Sequence, residues 1–396
     1  MILIRQTLAV MLLNLRTIPA RLGSSSVAII GIAGVVVVFV SVLSISAGFN
    51  AAMTGSGSPG RAIVLRAGSD TELTSAVDGV EAGIIKQAPG IAKDGEITLA
   101  TADLFVVLDL PRKGVQDSSS NVPMRGIEAV AMQVEEGISI VEGRMFRFGT
   151  NEAIVGRSAG RQFGSLSLGD TIVSGQNQWQ VVGIFEADGG LPETEIWTDV
   201  HSLQSVYRRT NSFSTVHVKL TTPDAFEGFR DWLMENPQTH VTVRREDEFY
   251  ASQSETMTRL ISTLGFGIAG LMGVGAIFGA VLTMYTAVAN RTREIGTLRA
   301  LGFNTLSVIV SVLAESMVLG AIGGLLGGAL AYLAFNGYQT STMNFQTFSQ
   351  VAFAFRVTPA LLATGVFYAL VIGMIGGLLP AIRAARLPIP TALREL

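Results

Sequence analysis

The sequence predicts an α-helical membrane protein: four transmembrane helices, with a mixed α+β extracytoplasmic domain inserted between helices 1 and 2. Three observations predict it. Residues 22–60, 260–290 and 316–355 contain no Asp, Glu, Lys or Arg, in a chain that is 48% hydrophobic and 15% charged, with mean hydropathy +0.46. Soluble proteins carry about 25% charged residues. The charge is also unevenly placed. Residues 61–259 hold 18 Lys and Arg against 28 Asp and Glu, a net of −10; the remainder holds 10 against 3, a net of +7, and together they give the −3 of the whole chain. Finally, arginines flank the apolar runs in a pattern that places every basic cluster on one side. An acidic, water-facing domain set in a basic membrane frame accounts for all three.

A membrane helix needs about 20 mostly apolar residues. After a cytoplasmic N-terminal segment at 1–24, the first span is placed at 25–49. That run is too long for a signal-peptide apolar region and no small-residue cleavage site follows closely, so an uncleaved anchor is expected. The extracytoplasmic domain is placed at 50–257, in two lobes. Helix 2 with an outer stalk occupies 258–289; its uncharged run of 31 residues exceeds what a bilayer requires. A cytoplasmic helix at 290–304, helix 3 at 305–335, a short external loop at 336–357, helix 4 at 358–380 and a cytoplasmic tail at 381–396 complete the order. Arg5, Arg16 and Arg21 precede helix 1, Arg291, Arg293 and Arg299 follow helix 2, and Arg383, Arg386 and Arg394 follow helix 4. The excess of arginine marks that side as cytoplasmic, with both termini inside.

Within the acidic domain, alternation and β-branched content predict strands at 62–66, 96–100, 104–108, 179–184 and 215–220. Helical patterns cover 71–87, 201–208 and 223–236, the last with Thr222 as cap and Pro223 in the first turn. The polar stretch 113–120 reads as a loop tip at the transition between lobes. One lobe takes the segments adjoining the membrane helices and the other is inserted in the middle. With no cysteine, the domain has neither disulfides nor thiolate metal ligands.

Catalytic chemistry is not indicated. His201, His217 and His240 lack the spacing of a helical zinc pair and are expected to be isolated surface or satisfied histidines. Ser56, Ser58 and Ser174 sit in no G-x-S-x-G elbow. The carboxylates are scattered, which predicts a solvated acidic face. No G-x-x-x-x-G-K-[ST] occurs, so no hydrolysis of ATP by this chain is expected. No metal, no bound cofactor and no nucleic-acid partner is predicted.

The charged segment between helices 2 and 3 is the most distinctive. On a helix, Ile295, Leu298 and Leu301 form an apolar stripe, Arg291 and Glu294 form an i, i+3 pair, and Gly302 serves as a stop. Two uses stay open on physical grounds: attraction to acidic lipid head groups, or docking against a cytoplasmic partner. Gly320, Gly324 and Gly328 recur four apart on helix 3, with Gly323 and Gly327 beside them; Gly275 and Gly279 on helix 2 and Gly373 and Gly377 on helix 4 have the same spacing. Small residues so placed allow close helix packing, within or between subunits. Glu315 is an acid within a span, for which a bond to a Ser, Thr or Tyr of a neighbouring helix is expected. Arg383 and Arg386 snorkel to the cytoplasmic edge.

The run NRTREIGTLRALGF resembles the cytoplasmic segment of the FtsX-like, MacB-type ABC transporter permease family, which also includes the lipoprotein-releasing permeases. The pattern R-x-R-E-I-G-x-L-R-A-L-G covers residues 291–302 without a gap. LAESMVLGAIGGLLGGALAY is similar to the family's third span, PAIRAARLPIPTALREL to its ending, and ISIVEGRMF, NEAIVGRSAGRQF, LGDTI, WQVVGIF and EIWTD to its extracytoplasmic core.

The resemblance implies a non-catalytic permease subunit in a bacterial inner membrane. It would work as a dimer with a second copy or a related permease, and dock a separate cytoplasmic ABC ATPase dimer that holds ATP and Mg2+. Arg291, Arg293, Glu294, Ile295, Leu298, Arg299, Leu301 and Gly302 then form an ATPase-coupling helix, and the extracytoplasmic domain moves in response (mechanotransmission), for export or extraction of a substrate at the outer face. A periplasmic adaptor and membrane lipid are further implied contacts. Regulation of a cell-wall hydrolase or release of lipoproteins stays open as an alternative.

Overall fold

The computed structural model describes residues 22–388 and 390, except 115–117 and 175–176. Arg5, Arg16, Arg21 and Arg394, on which the predicted orientation partly rests, lie outside the described residues. In chain order the helices longer than a single turn are α1 (Leu22–Thr54), α2 (Gly79–Ile85), α3 (Arg157–Gln162), α4 (Val200–Val206), α5 (Ala225–Glu235), α6 (Glu246–Ala289), α7 (Thr292–Ala300), α8 (Thr305–Phe335) and α9 (Pro359–Arg386). The chain divides into two compact units. A helical unit comprises the chain up to Ala47, Arg259–Tyr338 and the chain from Phe355 onward; an α/β unit comprises Gly48–Thr258 and Gln339–Ala354.

In the helical unit, α1, α6, α8 and α9 are each long and apolar enough to cross a membrane. At 1.5 Å per residue, the 44 residues of α6 extend about 66 Å, more than twice a hydrocarbon core of about 30 Å. Asn304 caps α8 by accepting from the Leu306 amide, and Thr358 caps α9 by accepting from the Leu361 amide with Pro359 at the first turn. Ile32, Val36, Phe39 and Val40 of α1 pack with Ala269 of α6, Ala331 of α8, and Ala369 and Ile372 of α9.

The α/β unit is built on a ten-stranded sheet. Its strands are β1 (Arg61–Arg66), β2 (Ala100–Pro111), β3 (Ser119–Ile127), β4 (Ser139–Gly143), β5 (Glu152–Gly156), β6 (Thr171–Ser174), β7 (Asn177–Glu186), β8 (Ile196–Asp199), β9 (Thr215–Lys219) and β10 (Val241–Arg245). The spatial order is β10-β1-β9-β2-β3-β8-β5-β7-β4, with β6 beside β7. Strand alternation sends Ala62, Val64, Ala102, Leu104, Val106, Met124, Ile196, Val216 and Val218 into one apolar core with Phe226, Phe229 and Leu233 of α5.

Several expectations change. Residues 71–87 are not one helix: α2 spans Gly79–Ile85, capped by Asp78, because the Thr71 and Thr74 hydroxyls bond each other and Ser75 binds the Arg66 amide in the turn before it. The helix predicted at 223–236 begins at Ala225, with Asp224 at its N-cap and no side-chain capping bond. The predicted tip at 113–120 includes residues 115–117, which lie outside the described residues; the flanking strands β2 and β3 pair antiparallel, from Leu104 opposite Gly126 to Pro111 opposite Ser119. The predicted external loop at 336–357 contains an antiparallel hairpin, β11 (Gln339–Asn344) and β12 (Ser349–Ala354), that belongs to the α/β unit. Alternating Thr340, Thr342 and Val351, Phe353 suit a pleat better than an irregular connection.

Candidate functional site

The segment following α6 forms α7, stopped by Gly302, whose φ of +88° is the left-handed conformation that glycine tolerates. Its two sides differ sharply. Ile295 points inward among Met284, Val288, Val308 and Val312. Arg293, Glu294, Thr297 and Leu301 are exposed, Leu301 at 72%. The apolar stripe predicted over Ile295, Leu298 and Leu301 is therefore divided, with Leu298 half-buried between the ends.

Arg291 is buried, and its Nη1 donates to Glu315 Oε2 at 2.8 Å, with both side chains about 95% covered. Glu315 thus binds a guanidinium from the α6–α7 junction, a partner that the expectation of a hydroxyl did not include. A buried carboxylate gains more from a charged donor than from a neutral one. Glu294 lies 3.9 Å from Arg291 Nε, and Arg299 donates to the Leu387 carbonyl. Of the eight predicted coupling residues, Arg293, Glu294, Leu301 and Gly302 face outward, Leu298 is half-buried, and Arg291, Ile295 and Arg299 hold α7 in place.

The glycines separate by partner. A Cβ on Gly320 would lie 2.7 Å from the Ala369 carbonyl oxygen, and one on Gly324 2.8 Å from Ala369 Cβ; Gly328 approaches Leu362. Gly373 and Gly377 return the contact against Ser316. Gly323 and Gly327 turn to Ile29, Ile32, Ala33 and Val36 of α1. So α8 presents one small-residue face to α9 and another to α1, within one chain. Gly275 and Gly279 differ: nothing described lies within 4 Å of a Cβ there.

A second constellation was not expected. On the sheet face opposite the main core, the two-residue period aligns Arg61 on β1, Thr215 and His217 on β9, Thr101 and Asp103 on β2 and Arg125 on β3, with Glu195 immediately before β8. Arg125 donates to both Glu195 oxygens at 2.8 and 2.9 Å and to both Glu72 oxygens at 2.6 and 3.0 Å. His217 Nδ1 lies 3.1 Å from Oε1 of Glu246, the first residue of α6, while Arg61 Nε donates to Oε2 of the same carboxylate. Arg61 Nη1 also stands 3.0 Å from Glu135.

Burial disfavours charge on His217, but hydrogen bonds to Glu246 and Glu72 and the nearby Asp103 outweigh it, raising its pKa to about 10. It is an imidazolium at neutral pH. Burial pushes Glu135 up to about 7, with help from Glu246 and against Arg61 and His217. Burial also raises Asp103, opposed by His217 and Arg125. Glu72 is held well below the carboxylate range because Arg125 and His217 overcome its burial. His217 is therefore a satisfied histidine, one of the two expected outcomes, though a buried one, and these carboxylates are no solvated face. The available signal was polar residues at alternate positions of apolar strands, as in TADLF and STVHV.

Chemically, five acidic side chains meet two guanidiniums and one imidazolium, and with the Glu135 and Asp103 pKa values raised the opposite charges approach balance. Glu135, His217 and Glu246 place three donor atoms within 4.8 Å of one another, a spacing that could hold a cation. Arg61, however, already engages both of those carboxylates. The arrangement fits a structural network that fastens the first turn of α6 to the sheet.

Two family descriptions match the chain: MacB-like periplasmic core domain over residues 25–235, and FtsX-like permease C-terminal over residues 266–389. The uncharacterized ABC transporter permease YknZ of Bacillus subtilis is 25% identical over 304 residues, covering 72% of this chain and 70% of its own length. A macrolide export ATP-binding/permease protein, MacB 2 of Aeromonas hydrophila, is 25% identical over 285 residues, covering 66% of this chain and 41% of its own length. The chain thus spans less than half of that relative. The extracellular domain of YknZ, solved by crystallography, covers 46% of this chain at 18% identity with a TM-score of 0.35.

Proposed function

We propose, from the premise that the chain belongs to the FtsX-like ABC transporter permeases with a MacB-like periplasmic core domain, that it is a mechanotransmitting subunit driven by a separate cytoplasmic ATPase. On this reading, ATP and Mg2+ bind the partner, this chain supplies no catalytic group, and nucleotide-driven motion reaches residues 50–257 to move a substrate at the outer face of a bacterial inner membrane. A second permease copy or a related permease completes the assembly.

One observation carries the reading. Arg293, Glu294 and Thr297 are exposed on α7 while Ile295 and Arg291 lock its other side into α6 and α8. An exposed charged face on a rigidly held helix can receive a push without absorbing it. Only a fixed element transmits displacement, and interior packing is dense enough to carry it. Among the described residues, α6 then runs unbroken from this junction to Glu246, which the Arg61 and His217 side chains tie to the sheet.

The test is co-expression with a candidate ABC ATPase, followed by co-purification and ATP hydrolysis in lipid nanodiscs. Arg293→Glu with Glu294→Arg is expected to weaken association and lower permease-dependent hydrolysis at least tenfold. Unchanged association together with unchanged hydrolysis overturns the coupling role.

A further inference from the structure

The α/β unit contains a cavity that the coupling role does not use. It is about 380 Å³ in volume and lies between the β11–β12 hairpin, the end of β2 and α3. That size suits a small ligand or head group. Arg112 and Arg161 line one wall, Gln339 and Ser341 belong to the hairpin strand opposite, and Ala352 and Phe353 supply an apolar side.

The two guanidiniums bond only neutral groups. Arg161 Nη1 donates to Gln339 Oε1 at 2.5 Å, and Arg112 Nη2 stands 3.5 Å from Ser341 Oγ. Among the described residues, no carboxylate pairs with either. The one acid in the wall, Glu193, is committed elsewhere: Oε1 accepts from the Ala187 and Gly189 amides and Oε2 from the Ser158 hydroxyl. By contrast, Arg157 on the same helix pairs with Glu186, and Arg144, Lys219 and Arg230 all have carboxylate partners. Two cations without a carboxylate partner among the described residues thus face one cavity, in a region whose net charge is −10.

Guanidinium forks match the oxygens of a phosphate, and hydroxyl and amide groups beside them complete a polar cradle. We propose that this cavity binds a phosphate-bearing anion, with the apolar wall at Ala352 and Phe353 receiving the adjoining carbon. A phospholipid head group and free inorganic phosphate share that chemistry. In sequence, Gln339 follows the end of α8 by four residues and Ala354 precedes α9 by five, which makes a lipid source natural.

The experiment uses the purified full-length chain and needs no ATPase, so its failure is separable from failure of the coupling role. Native mass spectrometry compares retention of phosphatidylglycerol and phosphatidylcholine, and calorimetry measures inorganic phosphate against chloride. The wild-type chain is expected to retain phosphatidylglycerol at least tenfold over phosphatidylcholine, to bind phosphate, or both. Lipid retention alone assigns a head-group site, and phosphate binding assigns a free-anion site. Arg112→Gln with Arg161→Gln abolishes the preference, Arg112→Lys with Arg161→Lys keeps much of it, and Arg230→Gln on α5 leaves it unchanged. Ser341→Asp, which adds an anion without removing either arginine, gives the same loss should the double variant fold poorly. The proposal is overturned when neither anion is preferred, or when the Gln and Asp variants bind as the wild type does.

Discussion

His217 shows how a period of two can hide a charge. Val216 and Val218 on either side face the apolar core, so the strand reads as hydrophobic and its central histidine as incidental. Only the pairing of β9 with β1 and β2 brings Arg61 and Asp103 to the same face, and pairing is not written in any one strand. The network makes stability depend on pH. A group whose folded pKa is raised contributes fully below its unfolded value, near 6.5 for histidine, and that contribution is lost as pH rises through about 10. Glu135, raised to about 7, loses its share earlier, between its ordinary 4.5 and 7. Unfolding followed by intrinsic fluorescence reports this unit, since Trp179, Trp197 and Trp232 all lie in it. Stability should fall between pH 7 and 9.5 by about 1.4 kcal/mol per pH unit at most, and His217→Gln should remove most of that slope. An identical slope in the variant places the titration elsewhere. The Arg291–Glu315 pair supports a second prediction. Arg291→Met leaves a buried carboxylate without its cation and should destabilise the chain by about 3–5 kcal/mol, whereas Arg291→Met with Glu315→Met should recover most of the loss. Thermal unfolding in detergent distinguishes the two outcomes.

At the scale of elements, glycine spacing was legible and its consequence was not. All three membrane helices with a four-residue glycine step look alike in sequence, yet only those on α8 and α9 meet a neighbour here. What decides is the residue opposite, Ala369 or Ser316, which no local pattern reveals. Gly320→Ile and Gly324→Ile should each force α8 from α9 and lower the unfolding temperature, with a cost of at least the 1–3 kcal/mol typical of overpacking. Gly275→Ile and Gly279→Ile should leave the isolated chain within about 0.5 kcal/mol of wild type. Equal losses at all four positions would place α6 against a partner in the purified state. The hairpin β11–β12 was missed for a related reason. Its residues are uncharged and lie between two apolar runs, so composition assigns them to a loop, whereas Thr340, Thr342, Val351 and Phe353 alternate as strands do.

For the whole molecule, the partition of charge was the most readable feature, because water and hydrocarbon impose opposite demands on long stretches of chain. The four spanning helices and the acidic α/β unit follow from that demand alone. Orientation depends instead on a bias among a few arginines, some at residues outside the described structure. A direct measurement is available because the chain has no cysteine, so one introduced thiol is the sole target for labelling. Ser167→Cys lies at an exposed position in the α/β unit and Thr297→Cys on the exposed side of α7. A membrane-impermeant maleimide added to intact spheroplasts should label Ser167→Cys, and Thr297→Cys only after permeabilisation. The two sites are separated along the chain by α6 as the one intervening membrane-length helix among the described residues. Reversed labelling would invert the protein and remove α7 from reach of a cytoplasmic motor, while labelling of both from one side would mean that α6 does not cross at all.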